Sequence, residues 1–232
     1  MNIQFLEKLS NADGIASNEQ EVRDVLVAEL KEYADEVSTD HLGSIIFKKG
    51  NRGPKIMLCA HIDEVGFIVR SVSDMGQVML MSVGGVKPLA QFMQRVRITT
   101  EDGKKIHGII QATYENNAAT KVYVDLGAQS AQEVYDLGIQ VGDMVTYTTE
   151  FEHFALSNVV AGKAFDDRLG CFIMGEVLKR LQSIDHPNTV YMVGTSSEEV
   201  GIRGAKTAVY KVNPDVVFPL DAVSYTHLRA HE

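Results

Sequence analysis

Three short apolar runs do most to limit how this chain can fold. After Lys55 it reads Ile56-Met57-Leu58-Cys59-Ala60, and the pattern returns in Val190-Tyr191-Met192-Val193-Gly194 and in Val216-Val217-Phe218-Pro219-Leu220. A strand with one wet face alternates apolar and polar residues, whereas a strand covered on both faces is apolar throughout. Runs of this kind, set among helical stretches, specify an α/β domain. The helical stretches are legible by spacing: Ile3, Leu6 and Leu9; then Val22, Val25, Leu26, Leu30 and Tyr33; then Leu169 to Leu181; then Gly204 to Tyr210. Ser17-Asn18-Glu19-Gln20 has the form of a capping box, with Ser17 expected to cap the second helix while Gln20 reaches back.

Between Gly66 and Thr149 the texture changes. Strand-like runs alternate with turn signals, as in Phe67-Ile68-Val69-Arg70-Ser71-Val72 before Asp74-Met75-Gly76, and Arg95-Val96-Arg97-Ile98-Thr99 before Glu101-Asp102-Gly103. One short helix, capped at Ser130, ends near Gly138. The expectation is an α/β domain built from 1–66 and 150–232, interrupted by a small β module over 67–149.

Each apolar run leads into acidic residues. His61-Ile62-Asp63-Glu64 follows the first, Ser196-Ser197-Glu198-Glu199 the second, and Asp221 the third. A fourth cluster, Asp166-Asp167, lies at the mouth of a helix. Ligands of open α/β sheets bind beyond the carboxyl ends of the strands. One Asp at a helix start is explained by capping and by the helix dipole, but two adjacent acids are not. A His paired with carboxylates suits zinc, cobalt or manganese better than a structural thiolate zinc site. Two such ions clamp a hydroxide and a carbonyl oxygen, and one carboxylate can bridge both ions. Glu198-Glu199 offers a base and a ligand side by side. His41, His107, His153 and His186 lack a paired acid pattern and read as structural or solvated.

The formal charge of −9 argues against nucleic acid and anionic membranes as partners. Cys59 and Cys171 lie in apolar contexts without CxxC spacing, as buried reduced thiols do. The N-terminus has no signal-peptide core, so a cytoplasmic location is expected.

The stretches Ala60-His61-Ile62-Asp63-Glu64-Val65-Gly66-Phe67, Val83-Gly84-Gly85, Ala164-Phe165-Asp166-Asp167-Arg168, Ser197-Glu198-Glu199-Val200-Gly201 and Gly204-Ala205 resemble the dinuclear-metal aminopeptidases that include TET and glutamyl aminopeptidases. Some members carry an endoglucanase or cellulase M label. The resemblance implies a three-layer, zinc-peptidase-like catalytic domain with a mixed sheet and a β-barrel-like dimerisation insert. It implies two divalent ions, zinc, cobalt or manganese. His61, Asp166, Glu199 and Asp221 would be ligands, with Asp166 bridging and a cis peptide at Asp166-Asp167. Asp63 would orient His61. Glu198 would be the general base for hydroxide held by the ions, which attacks the N-terminal bond of a peptide. Dimers and hollow dodecamers are implied as assemblies. An amide hydrolase acting on small N-acyl substrates, or a non-catalytic metal-binding subunit, are the alternatives. A glycosidase fits badly, because it needs two opposed carboxylates rather than a His and acid nest.

The resemblance weakens at the end of the chain. The family continues past the position of Asp221 and supplies a final His ligand there. The last stretch, Val223 to Glu232, reads as foreign, a truncated frame or an added tail. His227 and His231 are the candidates within it to replace that ligand. Little peptidase activity and some exposed apolar surface are expected of these 232 residues.

Overall fold

The computed structural model describes residues 2–87, 91–115, 118–155 and 158–222. The elements begin with helices α1 (Ile3–Asn11) and α2 (Gln20–Leu30) and strands β1 (Glu36–Thr39), β2 (Ile45–Lys49) and β3 (Lys55–His61). Then come β4 (Gly66–Val72), β5 (Val78–Val83), β6 (Arg95–Thr99), β7 (Lys105–Glu115), β8 (Ala118–Asp125), α3 (Ala131–Asp136) and β9 (Met144–Tyr147). The last are β10 (Glu152–His153), β11 (Val160–Ala161), α4 (Phe165–Arg180), β12 (Thr189–Thr195), α5 (Arg203–Val212) and β13 (Val216–Pro219). The chain divides into two compact units, one formed by residues up to Glu64 and from Glu150 onward, the other by Val65–Thr149.

The first unit is a mixed α/β domain around a sheet of order β1-β2-β12-β3-β13. The pairs β12–β3 and β3–β13 are parallel, while β2 runs antiparallel to both its neighbours. The three apolar runs are thus adjacent strands. Side chains alternate across the sheet. Ile45, Phe47, Ala60 and Met192 join one cluster with Phe5 and Leu9 of α1, Leu26 and Leu30 of α2, and Met174 and Leu178 of α4. Ile46, Met57, Cys59 and Val193 join another with Ala208 and Val212 of α5. Both faces of β3 and β12 are therefore covered, which is why these two strands contain no polar alternation; β13, equally apolar, is not covered in this way. Removing each such side chain from water contributes about 1.5–3 kcal/mol. β13 has a single strand partner, and Val216, Val217 and Phe218 remain exposed there. Cys59 and Cys171 are buried free thiols.

The capping box does not form. Glu19 occupies the N-cap of α2 and makes no side-chain cap bond. Ser17 takes a left-handed backbone (φ +72°), and its amide donates to Glu19 Oε1. Gln20 bonds forward to Asp24 instead of reaching back. Glu19 carries the longer carboxylate, and another partner, described below, draws it away from the helix.

The second unit is a closed antiparallel barrel of order β4-β5-β8-β7-β6-β9. Phe67, Val69, Val78, Val96, Ile98, Ile110, Val124 and Val145 fill it, with Val134 of α3. Ser130 Oγ accepts from the Glu133 amide, so the cap expected at α3 is present. The unit begins at Val65, two positions before the boundary expected from sequence. Among the described residues, no helix is long and apolar enough to cross a membrane.

Candidate metal centre

Strand register brings the candidate residues together. In the β12–β3 ladder Thr195 lies opposite His61, and in the β13–β3 ladder Pro219 lies opposite Cys59. Three parallel strands therefore end side by side, and His61, Glu198-Glu199 and Asp221 emerge from that edge. The fourth cluster arrives from α4, whose packing against β3 sets Asp166-Asp167 beneath His61.

His61 is the hub. It is buried, and its ring is oriented by Nδ1, 2.9 Å from the main-chain oxygen of Asp63. Nε2 then points to Asp166 Oδ1 at 2.9 Å and lies 4.0 Å from Asp221 Oδ1. Burial works against a charged ring, but hydrogen bonds to Asp166 and Asp63 outweigh it and push the His61 pKa up to about 11. His61 belongs to two groups able to hold a metal ion, one with Glu198 and Glu199, the other with Asp167 and Asp221, with the donor atoms of each group within 4.8 Å of one another.

Asp63 orients His61 by its backbone rather than by its carboxylate, whose nearer oxygen is 3.6 Å from Nδ1. The carboxylate is fully buried and does something else. Oδ1 accepts from the Glu198 amide (2.9 Å) and Oδ2 from the Glu199 amide (3.1 Å). It fixes the turn that carries the second acid pair.

The two adjacent acids on α4 divide their work. The Asp166–Asp167 peptide is cis. Asp166 is 59% exposed on its side chain and reaches His61. Asp167 is buried, accepts from the Gly170 amide (3.1 Å) as a helix cap, and accepts from the His61 amide (3.2 Å). A Cβ at position 170 would lie 2.5 Å from the Asp167 carboxylate, so glycine is required there. Burial, with the charge of Asp221 adding, pushes the Asp167 carboxyl up to about 7 despite its partners. Burial also raises the carboxyls of Glu198 and Glu199, with His61 opposing and nearby carboxylates adding. One imidazole and several crowded, partly dehydrated carboxylates make a donor set for a divalent cation. The cation would relieve the repulsion that raises these acids.

Beneath lies a layer that residue patterns alone did not assign. Lys163 Nζ donates to Asp13 (2.8 Å), Glu64 (2.6 Å) and the Ala12 carbonyl (3.1 Å). Arg168, fully buried, donates to the carbonyls of Leu9 (2.6 Å) and Ala12 (3.0 Å), and its Nη2 lies 3.5 Å from Glu64. Glu64 also receives the Gly14 amide. Asp63 and Asp166-Asp167 are thus flanked by residues tied to the loop after α1. The one available signal was charge inside apolar segments, at Lys163, Arg168 and Glu64.

A profile of the M42 glutamyl aminopeptidase family matches residues 43–230. Residues 223–232, the stretch that reads from sequence as foreign, with His227 and His231, lie outside the described residues. The chain is 37% identical over 232 residues to an Escherichia coli (strain K12) protein provisionally called aminopeptidase FrvX, an alignment covering 95% of this chain and 64% of that one. It therefore spans under two thirds of that relative's length. A TET aminopeptidase from the marine sediment archaeon Thaumarchaeota archaeon SCGC AB-539-E09 shares the fold with a TM-score of 0.90 and 38% identity, over 95% of this chain and 66% of that one. The TET1 peptidase of Pyrococcus horikoshii, which can assemble into a tetrahedron or a large octahedral shell, matches with a TM-score of 0.82 and 26% identity, over 96% of this chain and 70% of that one.

Proposed function

The chain belongs to the M42 glutamyl aminopeptidase family, and on that footing we propose that it carries the centre of a metal-dependent aminopeptidase that hydrolyses N-terminal peptide bonds. The observation behind this reading is the position of His61 in two acidic groups at the ends of three parallel strands. His61, Asp166, Glu199 and Asp221 would hold the ions, two of them, with zinc, cobalt or manganese suited to the donors. Asp166 is the bridging candidate, because its carboxylate is exposed whereas both Asp167 oxygens receive amides. Bound ions supply Lewis acidity toward a water and a peptide carbonyl.

The remaining work falls to the chain. Glu198 takes the attacking water's proton on its carboxylate and returns it to the leaving amine nitrogen. Asp63 keeps Glu198 and Glu199 at fixed height through their amides. The His61 ring is held by the Asp63 carbonyl, an outer contact of the kind that sets ligand orientation.

Assembly into homo-oligomers through the barrel unit, and a cytoplasmic location, belong to the same proposal. The N-acyl amide hydrolase reading gains no support from the relatives. The test is turnover of free-amine and N-acetylated peptides by the metal-loaded protein, with and without chelator. Cleavage of free-amine peptides alone, lost on chelation and restored by a divalent ion, is the expected result. Preference for the acetylated peptide, or activity indifferent to chelator, would sink the proposal.

A further inference from the structure

The turn that carries Glu198 and Glu199 is received by two buried carboxylates, not one. Asp63 takes the amides of Glu198 and Glu199. The preceding amide, that of Ser197, donates to Glu19 Oε1 at 3.1 Å, from 178 residues away in the chain. Three successive N–H groups thus point at fixed acceptors. Ser197 is buried and left-handed (φ +54°), a backbone that a serine keeps only when its surroundings hold it.

Glu19 is itself fixed. It is 1% exposed, and Oε1 also takes the Ser17 amide at 3.0 Å. Oε2 faces Arg23 Nη1 at 3.3 Å, and that nitrogen donates onward to the Gly43 carbonyl at 3.2 Å. The loop bearing Glu19 pairs with the other side of the centre, since Ile15 bridges Glu64 and Glu64 N donates to the Gly14 carbonyl. Among the described residues, no ion-holding group contains Glu19. A buried carboxylate is expensive unless its bonds matter, and here those bonds end on the residue before the proposed base.

We infer that Glu19 is a positioning residue, which sets the height of Glu198 by receiving the Ser197 amide. The inference rests on the reading of Glu198 as base. Acceptor reach is the operative property rather than charge. Burial, with Asp63 adding and the amides and Arg23 opposing, pushes the Glu19 carboxyl upward; a Gln can keep an oxygen on the Ser17 and Ser197 amides, but its NH2 then faces Arg23 Nη1 and that ion pair is lost.

The test uses the full chain with Co²⁺, comparing Glu19→Ala, Glu19→Asp and Glu19→Gln. Gln keeps an oxygen at the Oε1 position. Asp keeps the charge but withdraws the acceptor by one methylene. Amides 197–199 should exchange with deuterium about tenfold faster in the Ala and Asp variants, as expected when a hydrogen bond is lost. Turnover of a free-amine peptide should fall about 10–100-fold in kcat with KM nearly unchanged, since a misplacement of about 1 Å can cost 10²-fold. Gln should fall between the parent and Glu19→Ala in both readouts, because it keeps an acceptor for the Ser197 amide and loses the Arg23 pair. Wild-type behaviour of Glu19→Asp, or damage in Glu19→Gln equal to that in Glu19→Ala, would overturn the inference. So would unchanged exchange at 197–199 in a folded Glu19→Ala. If Glu19→Ala does not fold, the Asp and Gln pair decides. If the parent turns over little peptide, as is expected of these 232 residues, exchange at 197–199 together with Co²⁺ affinity judges Glu19.

Discussion

Lys163→Met should destabilise the α/β unit more than any exposed charge change. The Lys163 ammonium sits between two carboxylates, with side-chain exposures of 4% for Lys163, 0% for Asp13 and 4% for Glu64. Methionine keeps the length and apolar stem but removes three donated bonds, to Asp13, Glu64 and the Ala12 carbonyl. Arg168 still lies 3.5 Å from Glu64, too far to replace a 2.6 Å contact. Breaking a buried pair from one side costs about 3–5 kcal/mol, because the remaining charge keeps its desolvation without its partner. For a chain of this size about 1 kcal/mol moves Tm by roughly 2–4 °C, so the expected fall is about 6–20 °C. Circular dichroism melts of the parent, Lys163→Met and Lys163→Met/Glu64→Gln would measure it. The double variant should melt above Lys163→Met, since the neutral amide removes one stranded charge. A fall under about 2 °C, or a double variant below the single, would refute the argument from stranded charge.

Glu198→Gln should lower kcat by about 10²–10⁴-fold while leaving Tm unchanged, as read by steady-state turnover and thermal melts. His61→Ala should weaken divalent-ion binding more than Asp221→Ala in titration calorimetry, because His61 serves both groups and Asp221 only one. The ion-free protein should lose stability as pH rises. Asp167, raised to about 7, binds its proton more tightly folded than unfolded, so its contribution falls between the ordinary carboxylate range and pH 7. His61, raised to about 11, adds stability below its unfolded value that is lost as pH rises through about 11. Both slopes have the same sign. Added Zn²⁺ should flatten the first by replacing protons among the acids, and melts across pH with and without the ion would test this.

The sheet and the acidic residues and histidine at its strand ends were legible because both are local properties of the sequence. A strand covered on both faces records that fact in its own composition, and a ligand at a strand end stands next to the run that positions it. His61 lies at the end of β3, and Glu198 and Asp221 follow β12 and β13 by a few positions. The third run reads like the other two in sequence, yet Val216, Val217 and Phe218 of β13 are exposed. The barrel was legible only as a β module, since alternation reports strands but not closure.

What the sequence hid is the support beneath the centre, which is made by contacts between distant positions. Ser17 looked like a cap because the motif is local, yet the carboxylate that mattered was that of Glu19, whose partner is Ser197. Lys163 reaches Asp13 across 150 residues, and Arg168 reaches the Leu9 carbonyl across 159. No spacing rule connects such pairs.

The paired acids show how one pattern can hold both kinds of information. In Asp166-Asp167 the first carboxylate is open and meets His61, while the second is buried as a cap and as acceptor for the His61 amide. In Asp63-Glu64 both are buried; the first holds the 198–199 turn and the second the Lys163 and Arg168 cations. An acid doublet at an element end therefore does not mean two ligands. In these two doublets one group faces the centre, or holds what faces it, and a neighbour holds the scaffold, whereas Glu198 and Glu199 both face it. Burial separates the two, because a carboxylate whose oxygens are committed to backbone amides has lost the freedom a ligand needs. By that criterion Asp166, Glu198, Glu199 and Asp221 are the candidates for the proposed chemistry and Glu19, Asp63 and Glu64 for its placement, while Asp167 caps α4 and also stands in an ion-holding group.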